Sequence, residues 1–128
     1  MEVEVPRYFS LQEADLLLDE LRPLVSEIME IHSRVASQRP EAWPAIERAA
    51  GNGGSLAASR LVPEFDRLRE LVHAVQAHGV ILKDLGMGLV DFPSLREDHE
   101  VYLCWKYGEE RIAFWHEVEA GFMGRQPL

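Results

Sequence analysis

The sequence has little of what functional assignments usually rest on. It contains one cysteine, no run of Lys or Arg, and no apolar run near the roughly 20 residues that a membrane span requires. A single cysteine excludes an internal disulfide and a four-cysteine zinc site within one chain. The first ten residues have neither the basic start nor the apolar centre of a signal peptide, so we expect a soluble, cytoplasmic protein.

Charge narrows the range of partners. The formal net charge is -9 at pH 7, whereas nucleic acids and anionic membranes are bound by clustered Lys and Arg. We therefore expect no nucleic acid and no membrane as a partner. The sequence carries no recognised catalytic signature either: His99-Glu100 is not followed by a histidine at the spacing of zinc proteases. It indicates no particular cofactor and favours a protein that is not an enzyme.

A chain of 128 residues has the size of one domain. Its patterns divide it into a helical hairpin over 10–79, with a flexible loop near 40–59, and a small sheet with a C-terminal tail over 80–128. The predicted fold class is therefore α+β: a long antiparallel helical hairpin packed on a small antiparallel β-sheet.

The first helix begins at a capping box formed by Ser10 and Glu13. Apolar positions then recur in steps of four and three, which predicts a heptad-like seam at Ala14, Leu18, Leu21, Val25, Ile28, His32 and Val35. Leu17, Leu24 and Ile31 widen this stripe beyond what one shorter partner helix covers. We therefore predict a homo-oligomer, a homodimer in the simplest case, that buries them.

Prolines and glycines mark the connection to the second helix. Pro40, Pro44 and the glycine-rich run 51–55 predict a flexible loop, interrupted by a short helical piece over 41–50. The second helix is predicted from a seam at Leu61, Phe65, Leu68, Val72 and Val75. Pro63 requires that this helix begin close to it, because proline is tolerated in the first turn.

Beyond residue 80 the apolar period changes to two, which predicts strands. Residues 80–82 and 89–92 form two short strands around a glycine turn, and Pro93 ends the second. Residues 101–106 and 111–116 form a hairpin around Gly108-Glu109, in the glycine-first order that a type II′ turn prefers.

A two-residue turn in this second hairpin fixes the cross-strand pairs by counting. It pairs Val101 with His116 and Tyr102 with Trp115. Because side chains alternate between faces, the predicted core face carries Val101, Leu103, Trp105, Ile112, Phe114 and His116. The opposite face carries Tyr102, Cys104, Lys106, Arg111, Ala113, Trp115 and Glu117.

This geometry weakens two chemical hypotheses and favours a third. Cys104 and His116 point apart, which argues against a nucleophile–base pair. His116 and Glu117 point apart as well, so they share no metal unless the strand ends or bulges between them. Tyr102 and Trp115 form an aromatic pair that serves either ordinary sheet stability or a partner platform, edged by the C-terminal tail.

The candidate residues for ligand or partner binding are Asp91, Arg96, Tyr102, Trp115, His116, Glu117 and Arg125. Arg96 and Arg125 have planar forks that suit a carboxylate or phosphate, with structural ion pairs as the alternative. The leading function is a non-enzymatic binding or assembly module whose C-terminal sheet surface recognises a protein or small-molecule partner. The alternative is a metal- or anion-dependent enzyme that uses His116, Glu117, Asp91 and Arg125.

Four stretches carry a family resemblance: RYFSLQEADLLLDELRPL, GLVDFP, VYLCWKYGEERIAFWHE and GFMGRQPL. They resemble an uncharacterised bacterial family, the domain of unknown function twenty-two-oh-three, over nearly the whole chain. The resemblance implies a small cytoplasmic prokaryotic protein and implies no activity. The family's signature positions correspond here to Asp91, Tyr102, Cys104, Trp105, Trp115, His116, Gly121, Gly124 and Arg125.

Overall fold

The computed structural model of the chain describes residues 7–38 and 62–128. These ranges contain two helices, α1 (Leu11–Gln38) and α2 (Val62–Gln76). They also contain the strands β1 (Ile81–Asp84), β2 (Leu89–Arg96), β3 (His99–Lys106), β4 (Phe114–Glu117) and β5 (Gln126–Pro127), with one 3-10 turn at Phe122–Gly124 before β5. The strands form one antiparallel sheet in the order β1-β2-β3-β4-β5. The predicted α+β fold is confirmed.

Several predictions about the connection between the helices lie outside the described residues. These are the loop with Pro40, Pro44 and residues 51–55, the helical piece over 41–50, and Leu61. Pro63 does lie in the first turn of α2, as predicted.

The capping box at the start of α1 is confirmed. The Ser10 N–H donates to Glu13 Oε1 at 2.8 Å, and the Glu13 N–H donates to Ser10 Oγ at 3.1 Å. These two hydrogen bonds, the backbone one first, lower the pKa of Glu13. Two of the amides that a helix start leaves without a partner inside the helix are thereby satisfied, which explains why α1 begins here.

The apolar stripes of the two helices differ from the predicted seams at one position each. In α1 the buried residue is Ile31 and not His32, and in α2 it is Leu71 and not Val72. Ile31 and Leu71 each lie one residue, about 100° around the helix, before the predicted position, so packing against the rest of the fold and not the helical period selects them. His32 therefore lies half-buried at the edge of the stripe, against Gly86.

The apolar flank of α1 is largely covered within one chain. Ile31 is 2% exposed, and Leu17 and Leu24 pack partly buried against the same core. The argument for a homo-oligomer from these residues is therefore weaker than the sequence suggested, and the oligomeric state stays a prediction.

One face of the sheet packs on the helices. Its buried side chains join those of α1 and α2 in a single cluster that contains Val90, Phe92, Val101, Leu103, Trp105 and Trp115. The strand registers agree with this placement, because Val90 pairs with Trp105 and Leu103 pairs with Trp115. The helices thus leave the opposite face of β2, β3 and β4 to be covered by other parts of the chain.

Strand β2 continues through Pro93, so the prediction that Pro93 ends it is wrong. The Pro93 carbonyl accepts a hydrogen bond from the Phe9 N–H at 2.7 Å. The edge of β2 on which Pro93 lacks an N–H donor therefore faces the N-terminal segment and not β3. The pairing of β2 with β3 loses no hydrogen bond. Ser94 Oγ donates to the Phe9 carbonyl at 2.6 Å, which ties this segment to β2 a second time.

The predicted register of the second hairpin is wrong by one residue. Val101 pairs with Glu117, Tyr102 with His116, Leu103 with Trp115 and Cys104 with Phe114. Because the side-chain period of a strand is two, this slip moves every side chain of β4 to the other face. Trp115 lies on the core face, and Phe114 and His116 lie on the opposite one.

A different turn explains the slip. The Glu109 N–H donates to the Lys106 carbonyl at 3.0 Å, and Gly108 has φ 103°. The turn is therefore centred on Tyr107-Gly108, with glycine in the third position where a type II turn requires positive φ. Side chains then hold the longer loop that follows: the Trp105 indole N–H donates to the Glu109 carbonyl at 2.8 Å, and the Glu109 carboxylate accepts the Lys106 N–H at 2.7 Å.

Candidate functional site

The face of the sheet opposite the helices contains a buried cluster of three residues from three strands. Asp91 of β2 pairs with Cys104 of β3, and His116 of β4 lies on the same face. One ligand atom from each of these side chains lies within 4.8 Å of the other two. Exposure is 1% for Asp91, 0% for Cys104 and 1% for His116. We call these three residues the buried cluster.

Hydrogen bonds fix the orientation of the His116 ring. Nδ1 lies 2.7 Å from the Glu117 carbonyl oxygen, and Nε2 lies 3.0 Å from Asp91 Oδ1. A carbonyl only accepts, so Nδ1 carries a hydrogen and donates it. Nε2 faces a carboxyl oxygen, so one further proton is shared between His116 and Asp91 when no other cation lies there. His116 is therefore a buried histidine with a hydrogen-bond partner at each ring nitrogen.

Cys104 is held as a neutral thiol. Burial, followed by the negative charge of Asp91, raises the pKa of Cys104 to about 12, and Arg125 opposes this only in part. A hydrogen bond with Asp91 acts in the same direction. The prediction that Cys104 and His116 point apart is wrong, yet the pair is not built for nucleophilic catalysis, because a reactive cysteine needs a lowered pKa and the His116 ring is directed at Asp91.

Tyr102 covers one side of the buried cluster. Its ring meets the His116 ring edge to face, with centroids 5.6 Å apart. Burial, then the charges of Glu100 and Asp91, raise the pKa of Tyr102. Lys83 of β1 places its Nζ 5.3 Å from the centre of the Tyr102 ring. On this side the Tyr102 ring, with the Lys83 ammonium above it, thus separates the buried cluster from solvent.

Arg125 closes the side of the buried cluster next to Cys104. Its Nη2 donates to both Glu109 carboxylate oxygens at 2.7 and 2.8 Å and to the Cys104 carbonyl at 3.2 Å. Its guanidinium lies 4.0 Å from the centre of the Phe114 ring and 4.9 Å from that of Phe122. Of the two alternatives for Arg125, the structural ion pair is the one observed, and Glu109 balances its charge.

The predicted aromatic platform is wrong. Tyr102 and Trp115 are not cross-strand partners and lie on opposite faces of the sheet. Trp115 is buried on the core side, where the Arg96 guanidinium lies 4.4 Å from the centre of its ring. The Glu117 carboxylate contacts His99 at 3.1 Å on the exposed rim, and only the backbone carbonyl of Glu117 contacts His116.

Sequence reasoning missed Cys104 as a partner of Asp91 and His116. The signal that would have found it is the turn between β2 and β3. Glu97 and Asp98 both have positive φ, 51° and 66°, as in the two-residue type I′ turn of a tight hairpin. Counting outward from that turn pairs Asp91 with Cys104, as observed.

The comparisons with known proteins identify a family and give no activity for it. No helix in the described ranges is both long and apolar enough to cross a membrane. Neither the curated proteins nor the solved structures include a match to this chain. The model of one family, described as "Uncharacterized conserved protein (DUF2203)", matches residues 7–128, and the chain belongs to that family.

Proposed function

We propose that this protein is a metal-binding protein that holds one divalent transition-metal ion of the zinc class in the buried cluster. The ligands are Asp91 Oδ1, Cys104 Sγ and His116 Nε2. The observation that carries the proposal is their convergence: a carboxylate, a thiol and an imidazole, all buried, lie within 4.8 Å of one another. These are the three side-chain types that bind zinc in proteins.

The charge of the buried cluster suits a divalent ion. Metal binding requires Cys104 as a thiolate, Asp91 as a carboxylate and His116 as a neutral imidazole. Two negative ligands and a 2+ ion sum to zero, so the filled site adds no net charge to a buried region, where unpaired charge is costly. A monovalent or trivalent ion with the same ligands leaves one unit of charge uncompensated.

A tetrahedral ion requires the ligand atoms, which lie within 4.8 Å of one another, to shift by up to roughly 1 Å. Tetrahedral ligands at about 2.0–2.3 Å from zinc lie roughly 3.3–3.8 Å from one another. The observed 3.0 Å between His116 Nε2 and Asp91 Oδ1 therefore has to widen by a few tenths of an ångström. The bond from His116 Nδ1 to the Glu117 carbonyl is the second contact that metal-bound histidines usually make, and it directs Nε2 at the cluster.

Burial favours a structural or regulatory ion over a catalytic one. Three protein ligands are the number found in catalytic zinc sites, which keep the fourth position open for water or substrate. Here the side chains of His116 and Asp91 are only 1% and 2% exposed, so a substrate does not reach that position. The enzyme that the sequence suggested as an alternative also needs Glu117 and Arg125. Glu117 contacts His99 and Arg125 pairs with Glu109, so neither supports that chemistry. We therefore propose binding without turnover.

Metal titration of the chelator-treated protein tests the proposal. We expect one equivalent of Zn²⁺ or Co²⁺ to bind, with a thiolate-to-cobalt charge-transfer band for Co²⁺. Binding also releases protons near neutral pH, because the Cys104 pKa of about 12 keeps the thiol protonated before the metal arrives. Both readouts use the native chain and do not depend on any variant folding.

Variants separate this site from adventitious binding. Cys104→Ser should abolish the cobalt band, and His116→Asn should weaken binding by roughly 10–100-fold or more. The matched control is His99→Asn, since His99 and Glu117 form an exposed His–carboxylate pair elsewhere on β3 and β4. A native protein that binds cobalt without a thiolate band, or without releasing protons, would refute the proposal.

A further inference from the structure

A cavity lies on the side of the sheet that faces the start of α1. Its volume is about 390 Å³, within the range of about 300–1,000 Å³ for small-molecule sites. Val101, Leu103 and Trp115 form its inner wall. We call it the Arg96 pocket, because Arg96 from the end of β2 lies at its edge.

The rim of the Arg96 pocket is unusually apolar for a surface. Four of its residues belong to the exposed large hydrophobic side chains of the described ranges: Tyr8, Leu11, Leu95 and Leu128. Scattered apolar side chains need no explanation, but a group of them around one concave opening is typical of a ligand or partner site.

The charge of the Arg96 pocket differs from that of the whole protein. The chain has a net charge of -9, yet among the described residues no Asp or Glu lines the pocket, and Arg96 is the one charged side chain among those that do. In the described ranges Arg96 forms no ion pair, whereas Arg67 and Arg125 do. Its guanidinium stacks 4.4 Å from the centre of the Trp115 ring. Stacking orders the fork while its N–H groups stay available to a carboxylate.

We infer that the Arg96 pocket binds a small monocarboxylate with an apolar body. The carboxylate pairs with the Arg96 guanidinium through two parallel N–H···O bonds, and the apolar body lies against Leu103 and Trp115. A single charge fits because the pocket offers a single cation, and a second negative charge would face a protein of net charge -9. The inference does not depend on the proposed metal site, since no residue of the buried cluster lines this pocket.

Phenylacetate is a suitable probe. Its binding is measured from the indole N–H signal of Trp115 in a two-dimensional NMR spectrum. Trp115→Phe assigns that signal. We expect phenylacetate at millimolar concentration to shift it saturably. The neutral isostere phenylacetamide should bind at least about tenfold more weakly, because it lacks the charge that pairs with Arg96.

Two arginine variants complete the test. Arg96→Gln should weaken phenylacetate binding at least about tenfold and leave phenylacetamide binding unchanged. Arg69→Gln is the matched control, because Arg69 stacks on Phe65 at the same 4.4 Å but lies outside the pocket. The inference is overturned by any of three results: no saturable shift with phenylacetate, equal binding of acid and amide, or an equal effect of the two arginine substitutions.

Discussion

Replacement of Asp91 in the metal-free protein tests the buried cluster most directly. Asp91 interacts with both His116 and Cys104 and is buried with them. Asp91→Ala removes the partner of both groups and leaves a void. Asp91→Asn keeps the size and both contacts: its amide N–H donates to a neutral His116 Nε2, and its oxygen accepts from the Cys104 thiol. The two substitutions should therefore differ strongly.

The expected magnitudes follow from the contacts. A buried polar group without a partner costs about 1–3 kcal/mol, and the void left by the carboxylate adds to this. We expect Asp91→Ala to lower the free energy of unfolding by about 2–4 kcal/mol, and Asp91→Asn by less than about 1 kcal/mol. With a urea m-value of about 2 kcal/mol/M, the middle of the usual range, the alanine variant should unfold at a midpoint lower by about 1–2 M.

Urea unfolding of chelator-treated protein, followed by circular dichroism, measures these differences. Asp19→Ala is a suitable control, because Asp19 is a carboxylate whose side chain is 84% exposed, and its loss should change stability by less than about 1 kcal/mol. A change of that small size for Asp91→Ala would refute the energetic reasoning. An asparagine variant as unstable as the alanine variant would refute the expectation that an amide can replace the carboxylate in both contacts.

Three further predictions rest on other features. Folding raises the Cys104 pKa from 9.0 to about 12, so the folded state favours the neutral thiol. The stability that this thiol contributes is complete below pH 9 and is lost as the pH rises toward 12. Across this range the free energy of unfolding should fall less steeply in Cys104→Ala than in the native protein. Ser94→Ala removes the hydrogen bond to the Phe9 carbonyl and should cost about 1 kcal/mol in thermal unfolding, whereas an unchanged midpoint would show that this tie is unimportant. Gly88→Ala should destabilise by more than about 1 kcal/mol in urea unfolding, because Gly88 has φ 66° and an added Cβ would meet Tyr107 Cβ at 2.7 Å.

Features that depend on neighbouring residues could be predicted from the sequence. The capping box joins Ser10 to Glu13 within one helical turn, so its two hydrogen bonds follow from the residue types alone. The sequence predicts the apolar stripes of both helices to within one residue, and the differences, at Ile31 and Leu71, depend on tertiary packing that the helical period does not contain.

The face of His116 could not be predicted because it depends on a loop held by distant groups. Glu109 bonds Arg125 of the tail, and the Ile112 N–H donates to Asp15 of α1 at 2.8 Å. These hydrogen bonds involve residues outside the hairpin, so the hairpin sequence does not predict them. The residue types at Gly108-Glu109 are also compatible with a shorter, two-residue turn. A one-residue difference in the turn then inverts the strand. The candidate site was missed for this reason, although Asp91 and His116 were both among the candidate residues.

The order of the strands also determines when each part of the fold can form. Every strand pairs with its neighbour along the chain, so each pairing closes a short loop at little entropic cost. The N-terminal region is different: the bonds from Ser94 to Phe9 and from Ile112 to Asp15 join residues 85 and 97 positions apart. During synthesis α1 is therefore made first and receives its sheet contacts last. Until then the apolar stripe of α1 lacks the sheet that covers it in the folded protein, and transiently exposed apolar surface of this kind promotes aggregation.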